Sequence, residues 1–382
     1  MTAIYVGGIL VSIFDRDPSH FGSQGRLPLL LLAFVFVLYA LVWMHEIGHF
    51  LMGKMAGLRL IHFYVKPCSL SKTGPKWRFS LRLRIPLLGF VSMVPTHDRD
   101  LFRQMRFFVS GGVLANLVVC VVALIGCFLQ HDGGLLWTFD PFFNAELWFG
   151  FSAFLVVANA WPYTVKGQYN DGMYFWKLRA EDASALRFLA ILILTREVLS
   201  GTPVRDLGPE WVEKLRGPED GSRNEMAALV FLATYLRTQE ATDALRKVDE
   251  RARTFLDKPE LISGPMGEGL ILTCAFTAVW NRNDPDEARM LLSKYKTTLP
   301  TLQGFRKIIE ATIAAREADA DSVTRLCDEA ESLLRKIGEE NTFSVEGDFE
   351  LVTFIRRNEL PVPQEGGELA QAVGTQQISP EV

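Results

Sequence analysis

The chain has 382 residues, 49% of them hydrophobic, and a formal net charge of −4, which argues against a nucleic-acid partner. Its five cysteines, Cys68, Cys120, Cys127, Cys274 and Cys327, show no CxxC or other paired spacing. That excludes a disulfide framework and a thiolate zinc site, and it fits a reducing environment.

The apolar residues are concentrated in roughly the first 200 positions, and the remainder reads as a charged helical protein. The expected fold is mainly α. It is a polytopic membrane protein with a core of three transmembrane helices, a small β element between the first two, and a soluble α-helical repeat-like domain. Residues 1–27 form an N-terminal segment, either a strand or a shallow membrane segment. Its "MTAIYVGGILVSIF" lacks the basic start and small-residue cleavage site of a signal peptide.

A membrane-embedded region is expected over residues 28–200. Leu27 to Met44 is apolar apart from Pro28, which sits where a first-turn proline is tolerated. At 1.5 Å per residue the run is about 27 Å long, close to one hydrocarbon core. Spans are expected at about 28–52, 107–129 and 147–164. Leu186 to Leu194 reads either as an interfacial helix or as a fourth span.

The loops give an orientation. Lys54, Arg59, Lys66, Lys72, Lys76, Arg78, Arg82, Arg84, Arg99, Arg103 and Arg106 lie between the first two spans, against only Asp98 and Asp100. Residues 130–146 hold no lysine or arginine. The positive-inside rule places the first loop, and everything after the third span, in the cytoplasm. The β element is expected at about 60–95. There Trp77, Phe79, Leu81, Leu83 and Ile85 alternate with polar residues as in a strand with one wet face, and "LLGFVSMVP" (Leu87 to Pro95) continues as a second extended segment.

Pro, Gly and charged residues over 201–222 read as a linker, and residues 223–360 as a cytoplasmic helical domain. "CAFTAVWNRNDPDEARMLL" and "ATIAAREADADSVTRLCDEAESLL" share a plan of helix, Asp-containing turn and helix. Their turns, around Asp286 and Asp321, repeat at about the period of tetratricopeptide-type hairpins, and Asn224 to Leu256 looks like an earlier, less regular pair. The polar tail, 361–382, is expected to be disordered.

The chemistry is concentrated in "HEIGH". His45 and His49 are four apart on a helix, so both imidazoles project from one face and can hold one zinc ion, with Glu46 beside them as a base. A hydrolytic zinc needs a third protein ligand. His62 and His97 lie in the basic loop. Asp171, in "NAWPYTVKGQYNDG", is the better candidate, because Pro162 breaks the third span and lets the chain turn a carboxylate back toward the same membrane face. Glu181 and Asp182 are its acidic rivals.

These residues carry a resemblance. HEIGH in an early span, "GGVLAN" (Gly111 to Asn116) in the next and "NAWP…DG" after a third resemble the site-2 protease family of intramembrane zinc metalloproteases, over about residues 28–180. The resemblance implies that His45, His49 and Asp171 bind one Zn2+, that Glu46 is the catalytic base, and that Asn159 steadies the substrate or the oxyanion. Asn116 serves either a span-to-span hydrogen bond or an active-site contact. Two features depart from the family pattern. Eight residues separate Pro162 from Asp171 where about four are usual, and Gly111-Gly112 stands where Gly-Pro is frequent, so that Gly112 and Ala115 read as close helix packing.

The implied function is regulated intramembrane proteolysis in a bacterial inner membrane. The substrates are membrane-anchored proteins cut near the cytoplasmic face, the lipid bilayer is the surrounding partner, and a regulatory protein would bind the helical domain. A non-proteolytic membrane receptor or scaffold with a structural or absent zinc is the competing reading, and Glu46 argues against it. A soluble zincin has no place for three spans.

Overall fold

A computed structural model describes residues 26–72, 77–81, 88–131, 145–239, 241–262, 264–294, 300–340, 346–357 and 360. The expectations for residues 1–25, the loop 132–144 and the tail lie outside the described residues. The chain divides into two compact units, the first running essentially to Ala228 and the second from Leu229 onward, with Pro203–Asp206 assigned to the second.

In the first unit, α1 (Arg26–Met55) leads into strands β1 (Leu58–Val65), β2 (Cys68–Ser71), β3 (Arg78–Leu81) and β4 (Gly89–Pro95), then α2 (Leu101–His131) and α3 (Ala145–Ala160). The strands form one antiparallel sheet in the order β3-β2-β1-β4, with a register shift in the β1–β4 pairing between Leu60 and His62. Among the described residues two helices, over Leu31–Met55 and Leu101–Leu129, are long and apolar enough to cross a membrane. Both expose large apolar side chains, such as Leu31, Val35, Val118 and Val122, which a lipid solvent tolerates and water does not. The third helix has 16 residues, about 24 Å, and stops at Ala160, short of the expected 164, because Trp161 and Pro162 end it. Val37 and Leu41 of α1 and Leu147 of α3 form a small core into which Val119 of α2 packs.

α2 begins six residues ahead of the expected span. Its first turns belong to a different core, in which Leu101, Met105 and Val109 pack with Leu58, Leu60 and Met93 of the sheet. The strand expected over Trp77–Ile85 is present as the shorter β3, and residues 82–87 lie outside the described set. Its greasy alternates Trp77, Phe79 and Leu81 are exposed on β3, which is an end strand among the described residues.

Beyond α3 come a two-stranded hairpin, β5 (Thr164–Val165) and β6 (Gln168–Tyr169), then α4 (Asp171–Ala180), α5 (Ala183–Leu199) and α6 (Pro209–Lys214). The run Leu186 to Leu194 does not form a helix of its own. It lies in α5, where Leu189 and Ile193 enter the sheet-side core and Arg187 is buried beside them. The stretch read as a linker also packs, since Leu207, Val212 and Leu215 are buried. Its charged and Pro/Gly-rich composition concealed three well-spaced apolar anchors.

α7 (Arg223–Thr238) carries the chain into the second unit, where α8 (Thr242–Arg253), α9 (Pro265–Asn281), α10 (Pro285–Lys294), α11 (Pro300–Arg316), α12 (Ala320–Glu340) and α13 (Glu346–Arg356) follow. Two corners share one design. Asn283 and Ala318 each have positive φ, and the next residue, Asp284 or Asp319, accepts a hydrogen bond from the backbone N–H three residues on. These aspartates are the caps. Asp286 and Asp321, singled out in the sequence, lie in the first turns, where a carboxylate favours the helix dipole.

Candidate metal centre

The centre is built on a seam between α1 and α2. Gly48 and Gly111 face each other so closely that a Cβ on either would lie 2.3 or 2.4 Å from the other's carbonyl oxygen. This contact brings the His45/His49 face of α1 against α2. Gly112 has a different duty from the packing expected of it. A Cβ there would stand 2.5 Å from His49 Nε2 and 2.6 Å from His45 Nε2, so the missing side chain leaves the floor on which both rings lie.

The third group arrives from the other side. After Pro162 the eight intervening residues form the β5–β6 hairpin, whose tip, Lys166-Gly167, has positive φ at both positions, as a two-residue hairpin turn requires. Asn170 then caps α4. Its Oδ1 accepts from Met173 N (3.0 Å) and Tyr163 N (3.1 Å), while Nδ2 donates to the carbonyls of Ala158 (3.1 Å), Asn159 (3.2 Å) and Trp161 (2.7 Å). One side chain thus clips the start of α4 to the end of α3. Gly172 serves close approach instead of a turn, since a Cβ there would lie 2.3 Å from Ala160 O.

Asp171, at the first position of α4, is thereby brought onto the histidines. Its Oδ2 is 3.0 Å from His45 Nε2 and 3.3 Å from His49 Nε2, and the two Nε2 atoms are 3.2 Å apart. Among the described residues this is the one group of three such donors. Ligand atoms held tetrahedrally at about 2.0–2.1 Å from a zinc ion are about 3.3–3.4 Å apart.

The outer contacts agree. His49 Nδ1 lies 2.8 Å from Phe108 O, which can only accept, so Nδ1 carries the proton and Nε2 presents a lone pair. His45 Nδ1 lies 3.1 Å from the Asn116 amide. With the amide nitrogen toward the ring, Asn116 Oδ1 is buried without a partner; turned over, that oxygen accepts the Nδ1 proton. Both Nε2 lone pairs then face Asp171 Oδ2, which is shielded from solvent and has no aligned hydrogen-bond partner despite its neighbours. Three electron-rich atoms at this spacing are held by positive charge among them, a proton or a metal ion, and two imidazoles with a carboxylate are a donor set that zinc takes. The residues fit the metal.

Glu46 is 6% exposed, and its Oε2 has no hydrogen-bond partner. Gly89, the first residue of β4, lies against it, so that a Cβ there would meet Glu46 Cγ and Oε1 at 2.8 Å. Asn159 is directed elsewhere, donating back to Leu155 O within α3 at 3.0 Å. The rival ligands have other partners. His62 meets Ser69 Oγ across the sheet (2.8 Å), and His97 lies 3.1 Å from Gln104 Nε2. Glu181 pairs with Arg106 at 3.7 Å, and Asp182 caps α5 through Ala185 N. Sequence reasoning missed Asn170 and Gly89. The first was readable as a helix-capping Asn just before the acidic first turn of α4; the second becomes visible only when β4 is folded against α1.

Residues 33–357 match the family model described as "Peptidase family M50". Over 110 residues the chain is 33% identical to a Synechocystis protein named "Putative zinc metalloprotease", an alignment that covers 25% of this chain and 30% of the relative. Over 109 residues it is 36% identical to a Neisseria meningitidis serogroup A protein of the same description, covering 24% of each. The alignments thus span less than a third of either relative's length. No solved structure matches the chain.

Proposed function

The chain belongs to peptidase family M50, the site-2 protease family of metalloproteases, and from that premise we propose that it is a zinc-dependent intramembrane endopeptidase that cuts membrane-anchored proteins near the cytoplasmic face. The observation that carries the reading is the convergence of His45 Nε2, His49 Nε2 and Asp171 Oδ2 beside a buried Glu46, on a helix long and apolar enough to span a membrane.

His45, His49 and Asp171 would hold one zinc per chain. A bound zinc supplies Lewis acidity, acidifying a water and polarising the scissile carbonyl. The Glu46 carboxylate takes a proton from the attacking water and returns it to the departing amine nitrogen. Asn116 and Phe108 O fix the two rings so that each presents Nε2 to the centre. Asn159 keeps a second N–H and its Oδ1 beyond the bond to Leu155 O, and these would be its means of contacting the substrate.

A helical substrate hides its carbonyls in its own hydrogen bonds, so the cleaved segment has to be extended. β4 is an end strand, and among the described residues no strand pairs with its outer side. Its Gly89 lies against Glu46, so a strand added to that edge passes the base. The lysine and arginine asymmetry supports a cytoplasmic location for this end of α1 and for the helical pairs of the second unit, which we assign, as a tetratricopeptide-like domain, to binding a regulator or substrate.

The test is cleavage of a membrane-anchored reporter by the purified chain in lipid. Glu46→Gln should keep zinc and lose cleavage. If Glu46→Gln cleaves as the wild type does, the protease mechanism is wrong.

A further inference from the structure

The hairpin that precedes Asp171 is gripped by a distant part of the same unit. Arg223 N donates to Gly167 O at 2.8 Å, and Arg223 Nε reaches Lys166 O at 3.3 Å, so both tip residues are held. On β6, the Tyr169 hydroxyl donates to Asp220 Oδ2 at 3.0 Å. One turn into α4, the Tyr174 hydroxyl donates to Asn224 Oδ1 at 3.1 Å.

The gripping segment is itself anchored. Asp220 accepts from Ser184 Oγ (2.9 Å), Arg187 Nη1 (3.3 Å) and Ser222 N (3.0 Å). Arg187 is 1% exposed and also donates through Nη2 to Pro218 O. Gly217 lies where a Cβ would stand 2.9 Å from that guanidinium. Burying an arginine costs free energy that only close pairing offsets, and here the pairing goes to residues 218 and 220. A plain connector between two units has no need of such an anchor.

We propose that residues 217–224 form a strap that positions the metal-ligating Asp171, with Asp220 and Tyr169 as positioning residues; this rests on the metal-site reading above. Tyr169 is two residues from Asp171, and Asn170 between them carries the clip to α3. Motion at β6 is therefore passed directly to the first turn of α4, and a ligand displaced by about 1 Å is a poor ligand. The Asn170 clip fixes Asp171 with respect to α3, whereas the strap fixes it with respect to α5. The strap continues without a break into α7, so the chain leaving the catalytic unit is also what closes its metal site.

The experiment compares the full chain with Tyr169→Phe, Asp220→Ala and Asp220→Asn. The readouts are zinc affinity by chelator competition, the visible spectrum of the cobalt-loaded protein, and melting of the metal-free protein. Tyr169→Phe and Asp220→Ala should weaken zinc by about tenfold, the low end for outer partners of metal ligands, and shift the cobalt spectrum. Tyr169→Phe should leave metal-free melting unchanged. Asp220→Asn, which keeps one acceptor oxygen but turns an N–H toward either the Tyr169 and Ser184 hydroxyls or Arg187 Nη1 and Ser222 N, should weaken zinc less than Asp220→Ala does. Wild-type zinc affinity and an unaltered cobalt spectrum in Tyr169→Phe and Asp220→Ala overturn the strap while leaving the metal site intact. Affinity losses that merely track a fall in metal-free melting overturn it too, as a structural effect. A wild-type chain that takes up no metal overturns the metal-site reading and the strap with it.

Discussion

Gly112 lies directly beneath His49: a single methyl group on its Cα would stand 2.5 Å from His49 Nε2, inside any tolerable contact distance. His45 is crowded equally, with its Cε1 at 2.5 Å. Gly112→Ala should therefore turn both rings away and lose the metal, while Gly111→Ala, which presses on backbone and Met52 instead, should destabilise the helix pair by about 1–3 kcal/mol. Zinc content and melting temperature of the two variants separate these effects. Full zinc in Gly112→Ala would refute the geometry.

The ligand set makes its own forecast. His45→Ala, His49→Ala and Asp171→Ala should each lose zinc and cleavage, and Asp171→Glu should keep some metal. Glu46→Gln should hold its zinc and cleave about 10²–10⁴-fold more slowly. Glu181→Ala and Asp182→Ala should leave both properties nearly intact, because those carboxylates serve Arg106 and the α5 cap. Elemental analysis decides. Retained zinc in Asp171→Ala would move the third ligand elsewhere.

Topology can be read by labelling. Single cysteines introduced between residues 54 and 106, or after about 165, should react only with reagents that reach the cytoplasm. A cysteine at position 135 should react only from outside. Labelling of position 135 from the cytoplasmic side would invert the arrangement.

The Asp220 carboxyl has a pH signature. Burial alone would raise its pKa, but the bonds from Ser222 and Ser184 and the charge of Arg187 outweigh burial and hold it below the usual carboxylate range. The facing Tyr169 hydroxyl, raised mainly by its own burial, stays protonated and donates. A lowered folded-state pKa gives stability that is present above the unfolded value, about 3.9, and lost as pH falls through the folded value. The melting difference between wild type and Asp220→Asn should therefore be flat from pH 7 to about 4 and close only below that. Closure between pH 5 and 7 would contradict the assignment.

A fragment from about residue 222 to 360 should be water-soluble and give a helical circular dichroism spectrum, since α7 to α13 lie within it. Within the chain, Asp284→Ala should cost about 1 kcal/mol by removing the cap of α10. A spectrum of strand or coil would reject the helical-pair reading.

Much of this was legible in the residues, for physical reasons. The i, i+4 spacing of His45 and His49 is a property of any helix, so their shared face needed no fold to be seen. Asp171 was legible because Pro162 has to end α3 and a carboxylate follows within reach. The hairpin was not, since a two-residue turn of Lys166-Gly167 leaves strands too short for an alternating pattern. Nor was the sheet-side core, because Leu101 and Met105 sit in a run that hydropathy alone assigns to the approach of a span. Asn116 was left open between two duties. The fold gives it His45, an orienting contact that depends on a crossing of α1 and α2 which sequence spacing does not describe.

The Gly48–Gly111 seam has a mechanical consequence. With carbonyls of α1 and α2 in near contact there, parting these helices would open a gap that no side chain is placed to fill. The half of the centre made by the two histidines, Gly112 and Asn116 thus behaves as a fixed anvil. Asp171 is mounted on an arm instead, a hairpin and a short helix held by a clip and a strap that are made of hydrogen bonds. Displacing the Asp171 side therefore breaks hydrogen bonds, whereas displacing the histidine side opens a void between two helices, so the two halves of the centre resist movement by different physics.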